Sequence, residues 1–110
     1  MNEPALPAPG TPGKVVTKED LNEVWIFIEN YSQANQGKMP KPELIYTALV
    51  QAKSRAADLV KSNDIILTGA TQRESVWAYE RKASKSGGWI ASQNGTEEVT
   101  PAEFARRIKQ

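Results

Sequence analysis

The chain contains no cysteine and no histidine. The first absence removes disulfide staples, thiolate metal sites and cysteine nucleophiles, and leaves the redox compartment undecided. The second removes imidazole zinc sites, Ser-His-Asp triads and histidine acid–base catalysis. A surplus of charge is lacking too. Fourteen Lys and Arg stand against 13 Asp and Glu, for a net charge of +1, so no field of one sign steers the chain to nucleic acid or an acidic membrane. No run approaches the ~18 apolar residues of a membrane helix. The N-terminus lacks the charged start and apolar centre of a signal peptide, so any such segment would lie upstream of this chain.

What is present suits one domain: 110 residues, 39% of them hydrophobic and arranged in periodic runs. Residues 2–13, NEPALPAPGTPG, hold four of the seven prolines and two of the seven glycines, the composition of a linker or flexible arm. The folding unit is therefore expected over 14–110, with 1–13 as a tether.

Residues 75–100 organise the rest. The apolar runs Val76-Trp77-Ala78-Tyr79 and Trp89-Ile90-Ala91 precede Asn94-Gly95 and a third run, Thr96–Thr100. Asn-Gly is the strongest short signal for a type I′ hairpin, which needs positive φ at both central residues. With Ile65-Ile66-Leu67-Thr68, expected to be buried on both faces or close to it, these runs predict a small antiparallel meander with its helices on one face. Alternation places Val76 with Ala78 on one face and Trp77 with Tyr79 on the other.

Two N-terminal helices are predicted. The first spans 14–36, with Thr17 as N-cap, Thr17 and Asp20 as an approximate capping box and Val16 with Leu21 as a hydrophobic staple. Its apolar stripe is Leu21, Val24, Trp25, Ile28 and Tyr31. Gly37 suits the left-handed C′ position and Pro40 stops continuation. The second spans 42–62 with a stripe of Leu44, Ala48, Leu49, Ala52, Ala56, Leu59 and Val60, as one helix or as two broken at Ser54-Arg55. Thr100-Pro101-Ala102-Glu103 is a helix start of cap, Pro at the first position and capping-box Glu.

Little in the chain is arranged for chemistry. Gly69-Ala70-Thr71 and Gly87-Gly88 match neither a Walker A nor a dinucleotide pattern. The candidate carboxylates are Asp58, Asp64, Glu74, Glu80, Glu97, Glu98 and Glu103. General acid–base work needs two carboxyls facing one cleft, whereas Glu97 and Glu98 face opposite sides of a strand. Glu80 and Glu98 can approach across the meander, where a surface pair is the plainer reading. No calcium-loop pattern occurs, and no cofactor is expected. Asn30-Tyr31-Ser32 and Asn94-Gly95-Thr96 match the glycosylation pattern, but helix and turn account for them. The 81–88 loop carries Arg81, Lys82 and Lys85 beside Trp89, a possible interaction surface of the cationic and aromatic kind that binds single-stranded nucleic acid or peptide. Its plain reading is a solvated loop next to core tryptophans.

The stretch 28–44, IENYSQANQGKMPKPEL, with Tyr31, Gly37 and Pro40 at the end of an amphipathic helix, resembles the junction in type II secretion pseudopilins and related type IV pilin-like bacterial proteins. GGWIASQNGTEEVT is similar to their closing hairpin. The resemblance covers roughly 20–100 and lacks the apolar N-terminal pilin helix and the calcium-binding aspartates. It implies a non-catalytic, extracytoplasmic or envelope-associated domain acting through its surfaces.

The expectation is thus an α+β fold: two N-terminal helices packed on a small antiparallel sheet of three or four strands, with a short C-terminal helix. The expected role is non-enzymatic, a structural or protein-interaction module tethered through its arm, with a protein partner. Any membrane contact would be indirect, through a segment upstream. The alternatives are a nucleic-acid- or peptide-binding domain using the 81–88 loop, and a cytoplasmic location.

Overall fold

The structure, a computed structural model, describes residues 15–109. The arm expected over 1–13 lies outside the described residues, as does Lys14 at the expected start of the first helix. The fold is α+β, with a four-stranded antiparallel sheet and a short C-terminal helix.

Helix α1 spans Lys18–Ala34. Thr17 accepts from the Asp20 backbone N–H at 3.2 Å while the Asp20 carboxylate accepts from the Thr17 N–H at 2.9 Å, so the capping box is complete. Val16 and Leu21, on either side of it, are both buried in one cluster. Leu21, Val24 and Ile28 face the core, with Trp25 and Phe27 partly covered beside them. The helix unwinds through Gln36 and Gly37, both at positive φ, and the Gly37 N–H closes onto the Ser32 carbonyl at 2.8 Å.

Three helices, not two, precede the sheet. Helix α2 spans Pro42–Gln51 and α3 spans Arg55–Lys61. Lys53 between them adopts φ +57°, and Ser54 starts α3 by accepting from the Ala56 N–H at 3.1 Å. A left-handed residue resets the helical phase, so the stripe projected through 42–62 fails in part. Ile45 and Ala57 are buried, whereas Leu44 and Ala52 are exposed.

The strands are β1 Ile65–Leu67, β2 Ala78–Glu80, β3 Gly88–Ser92 and β4 Gly95–Val99, in that spatial order. A single helical turn, α4 Ala83–Ser86, lies between β2 and β3, and α5 Pro101–Ile108 follows β4. Thr100 caps α5 by accepting from the Glu103 N–H at 3.1 Å, with Pro101 in its first turn. The Glu103 carboxylate pairs with Arg106.

The helices occupy both faces of the sheet, not one. Ala78 and its cross-strand partner Ala91 belong to the larger cluster, under α1, α2 and α3, with Leu21, Ile28, Leu59, Ile65 and Trp77. The next pair, Tyr79 and Ile90, faces the opposite way, into a smaller cluster with Val76, Ala83, Val99 and Phe104 under α4 and α5. The Tyr79 and Phe104 rings meet at 4.8 Å between centroids. Full burial of each Ile or Leu side chain contributes about 2 kcal/mol.

Alternation also fails at Trp77. The Trp77 N–H donates to the Ala91 carbonyl at 2.8 Å while Ala78 is the Cα partner of the same Ala91. Two consecutive residues thus address one, as in a β-bulge. The bulge sends Trp77 and Ala78 to the same core and Val76 to the other, correcting the expected Val76–Ala78 and Trp77–Tyr79 faces. The hairpin after β3 forms as expected, but not with a type I′ turn. Ser92 pairs with Gly95 around Gln93 and Asn94, neither of which has positive φ; only Gly95 does, at +104°. Gly thus takes the position following the turn's central pair. Strand β1 is an edge strand with Ile65 buried and Ile66 and Leu67 half-buried, so it is not enclosed on both faces.

Gly87 and Gly95 both hold positive φ, but only Gly87 is crowded: a Cβ there would lie 2.7 Å from the Val99 carbonyl oxygen, whereas one at Gly95 meets nothing within 4 Å. Gly95→Ala should therefore cost only the conformational penalty, about 1–2 kcal/mol, and Gly87→Ala about 3 kcal/mol or more, by adding a backbone clash. Urea midpoints of the two variants test the ordering; equal losses would contradict the crowding at Gly87.

Candidate functional site

The 81–88 segment is more tightly held than an open basic loop. Arg81 donates to Asp64 Oδ1 at 3.1 Å, and Lys82 Nζ donates to the Gly87 carbonyl at 2.8 Å, closing the loop on itself. Ala83, which follows them, is buried against the smaller core, and Lys85 is exposed. Trp89 is half-buried against the larger core, Trp77 is fully buried, and Tyr79 packs on Phe104 with the two rings tilted at 58°. Arg81, Lys82 and Lys85 thus lie on one segment that leads directly into β3 and its half-buried Trp89.

The carboxylates are spread through the structure as ties between elements. Asp64 accepts from Arg81 and from Ser62 Oγ. Buried Glu80 accepts from the Trp89 N–H at 3.1 Å, replacing a strand-to-strand carbonyl with a side chain. A Cβ on Gly88 would lie 2.5 Å from Glu80 Oε1, so a larger residue there would displace this carboxylate. Glu97 pairs with Arg107 of α5 at 2.9 Å. Glu98 is exposed opposite Trp89, so it does not meet Glu80 in a shared buried site. Among the described residues no group of three or more Asp or Glu is placed to hold a metal ion.

Two surface depressions stand out. A polar cleft of about 640 Å³ lies at the tip of the β3–β4 hairpin, between Glu74, Asn94 and the Glu97–Arg107 pair. A largely apolar groove of about 340 Å³ runs beside β1, walled by Pro42, Tyr46, Val60 and Leu67, with Glu43 and Asn63 also in its lining. The second adjoins the outer side of an edge strand. Asp64 accepts from the Arg81 N–H at 2.9 Å and the Thr68 N–H donates to Trp77 at 3.1 Å, so residues 64, 66 and 68 address β2. By strand alternation Ile65 and Leu67 turn their N–H and C=O groups outward. Among the described residues no strand pairs with that side. The opposite edge, β4, reads Gly-Thr-Glu-Glu-Val, and adjacent carboxylates of this kind discourage strand addition. Strand β1 reads Ile-Ile-Leu and carries no charge, proline or bulge. Sequence reasoning missed this edge because a short apolar run looks alike in the centre and at the rim of a sheet.

A second unforeseen feature is the Arg73 clamp. Arg73 donates to Ser32 Oγ and to Glu29 Oε1, each at 2.9 Å, and its guanidinium lies 5.3 Å from the centre of the Trp77 ring. Trp77 Nε1–H donates back to the Arg73 carbonyl at 2.9 Å. The segment between β1 and β2 is thereby fastened to α1. Hydrogen bonds from Gln33 first, and then from Arg73, hold the Glu29 carboxyl below its ordinary value.

A depressed folded-state pKa contributes stability that is present above the unfolded-state value and disappears as pH falls through the folded-state value. Stability between neutral pH and pH 3 should therefore drop more steeply in the wild type than in Glu29→Gln, measured by thermal melts. Parallel profiles would refute the coupling. Arg73→Met, which strands the buried Ser32 hydroxyl and leaves Glu29 with Gln33 alone, should lose about 1–3 kcal/mol at pH 7.

No protein family, curated protein or solved structure matches the chain.

Proposed function

We propose that the protein is a non-enzymatic interaction module, tethered through residues 1–13, that binds an extended apolar segment of a protein partner along β1. One observation carries this reading: the two rims of the sheet are built differently. Strand β4 bears Glu97 and Glu98, whereas β1 offers the outward backbone groups of Ile65 and Leu67 next to an apolar groove. Strand addition to such an edge draws affinity from main-chain hydrogen bonds and selectivity from adjoining side-chain pockets.

The internal pairing of Arg81 with Asp64, and of Lys82 with the Gly87 carbonyl, favours this edge over the 81–88 loop as the contact surface. The likeness of the Tyr31–Gly37–Pro40 junction to pilin-like proteins agrees with a domain that works through surfaces, although here the junction leads into α2 before the sheet. That likeness also supports an extracytoplasmic or envelope-associated setting as part of the proposal.

Selection of random displayed peptides on the intact chain tests the reading. Enriched sequences should be uncharged with alternating apolar residues, and their binding should slow amide exchange at Ile65 and Leu67. Protection confined to 81–89, or no enrichment, would overturn it.

A further inference from the structure

We infer that the segment received by β1 is the β1 strand of a second copy of this chain, giving a two-fold symmetric dimer with one continuous eight-stranded sheet. This rests on the reading of β1 as a strand-accepting edge and names its occupant.

The geometry of the strand points to self-pairing. Ile65 and Leu67 carry the outward N–H and C=O groups, and Ile66 lies midway between them. An antiparallel partner centred on Ile66 therefore sets Ile65 of one copy opposite Leu67 of the other, twice, as hydrogen-bonded pairs. Ile66 faces its own symmetry mate as a non-hydrogen-bonded pair. The flanking positions are compatible: Asp64 falls opposite Thr68, and Asn63 opposite Gly69. No like charges oppose one another in this register. A copy paired through β4 instead cannot separate its adjacent Glu97 and Glu98 so readily, and like charges directly across a ladder are destabilising.

The groove provides the side-chain contact. Leu67 and Ile65 share the face of the sheet that packs under the N-terminal helices. Leu67 of the second copy, opposite Ile65, comes to lie on that face, on the side walled by Pro42, Tyr46 and Val60. The half-exposed Leu67 of each copy is thus covered by the other.

The absence of cysteine from the chain makes the test specific. Non-hydrogen-bonded antiparallel pairs have Cα atoms about 4.5 Å apart, within the range a disulfide spans. Ile66→Cys should give a covalent dimer under mild oxidation, whereas Asn94→Cys, exposed at the hairpin turn, should stay largely monomeric. Wild-type protein should show a concentration-dependent dimer by light scattering, and Ile66→Lys, which sets two ammonium groups face to face, should remain monomeric. A monomeric wild type at every concentration, or a dimer untouched by Ile66→Lys, would overturn the inference. If the wild type is monomeric while selected peptides still protect the Ile65 and Leu67 amides, the strand-accepting edge stands and self-pairing alone falls.

Discussion

The pairing of β2 with β3 is the contact on which the rest of the molecule depends. It has two regular cross-strand pairs, and each feeds a different core: Ala78 with Ala91 lies under the N-terminal helices, Tyr79 with Ile90 under α4 and α5. The small alanines let α1 approach the sheet closely on one side, while the bulkier pair fills the space left by one helical turn and a short helix on the other. The bulge at Trp77 adds the largest fully buried side chain to the first core without altering the register beyond it. Loss of this ladder would remove the floor of both cores together.

Local chemistry was legible where it is self-contained. The capping box of Thr17 and Asp20, the Thr100–Pro101 start of α5 and the hairpin at Asn94-Gly95 each depend on residues close in sequence, and each formed. The α+β class followed from the periods of the apolar runs. What stayed hidden depends on residues distant in sequence. The left-handed turn at Lys53 arises on a residue with no special tolerance for positive φ, so nothing local marks it. The bulge reverses a face assignment that strict alternation would otherwise give. Gly87 and Gly88 looked like loop flexibility, yet Gly87 lies hard against the Val99 carbonyl and Gly88 against the Glu80 carboxylate. The cationic residues of the 81–88 segment were visible, but their counterparts Asp64 and the Gly87 carbonyl were not. The β1 rim was invisible for the same reason: strand order is a tertiary fact.

The ion pairs follow one pattern. Arg55 reaches Asp20, Arg73 reaches Glu29, Arg81 reaches Asp64 and Arg107 reaches Glu97. Each joins different parts of the fold. Several are partly exposed and contribute about 0–1 kcal/mol apiece, so their larger effect is on arrangement. Arg55 also donates to the Val15 carbonyl at 2.7 Å, fixing the point at which the N-terminal segment leaves the folded body. Charge is thus spent within the chain on joining its parts, and of the two edge strands β1 is the one that carries none.

The indole of Trp25, on the first helix, donates to the carbonyl of Ser92, 67 residues later. Closing so long a span carries an entropic penalty that must be met before the contact returns anything. On the ribosome, the apolar stripe of α1 emerges well before the hairpin that covers it. Until the C-terminal third has been synthesised, that stripe is a nascent-chain surface open to chaperones, and the order of translation sets how long it stays so.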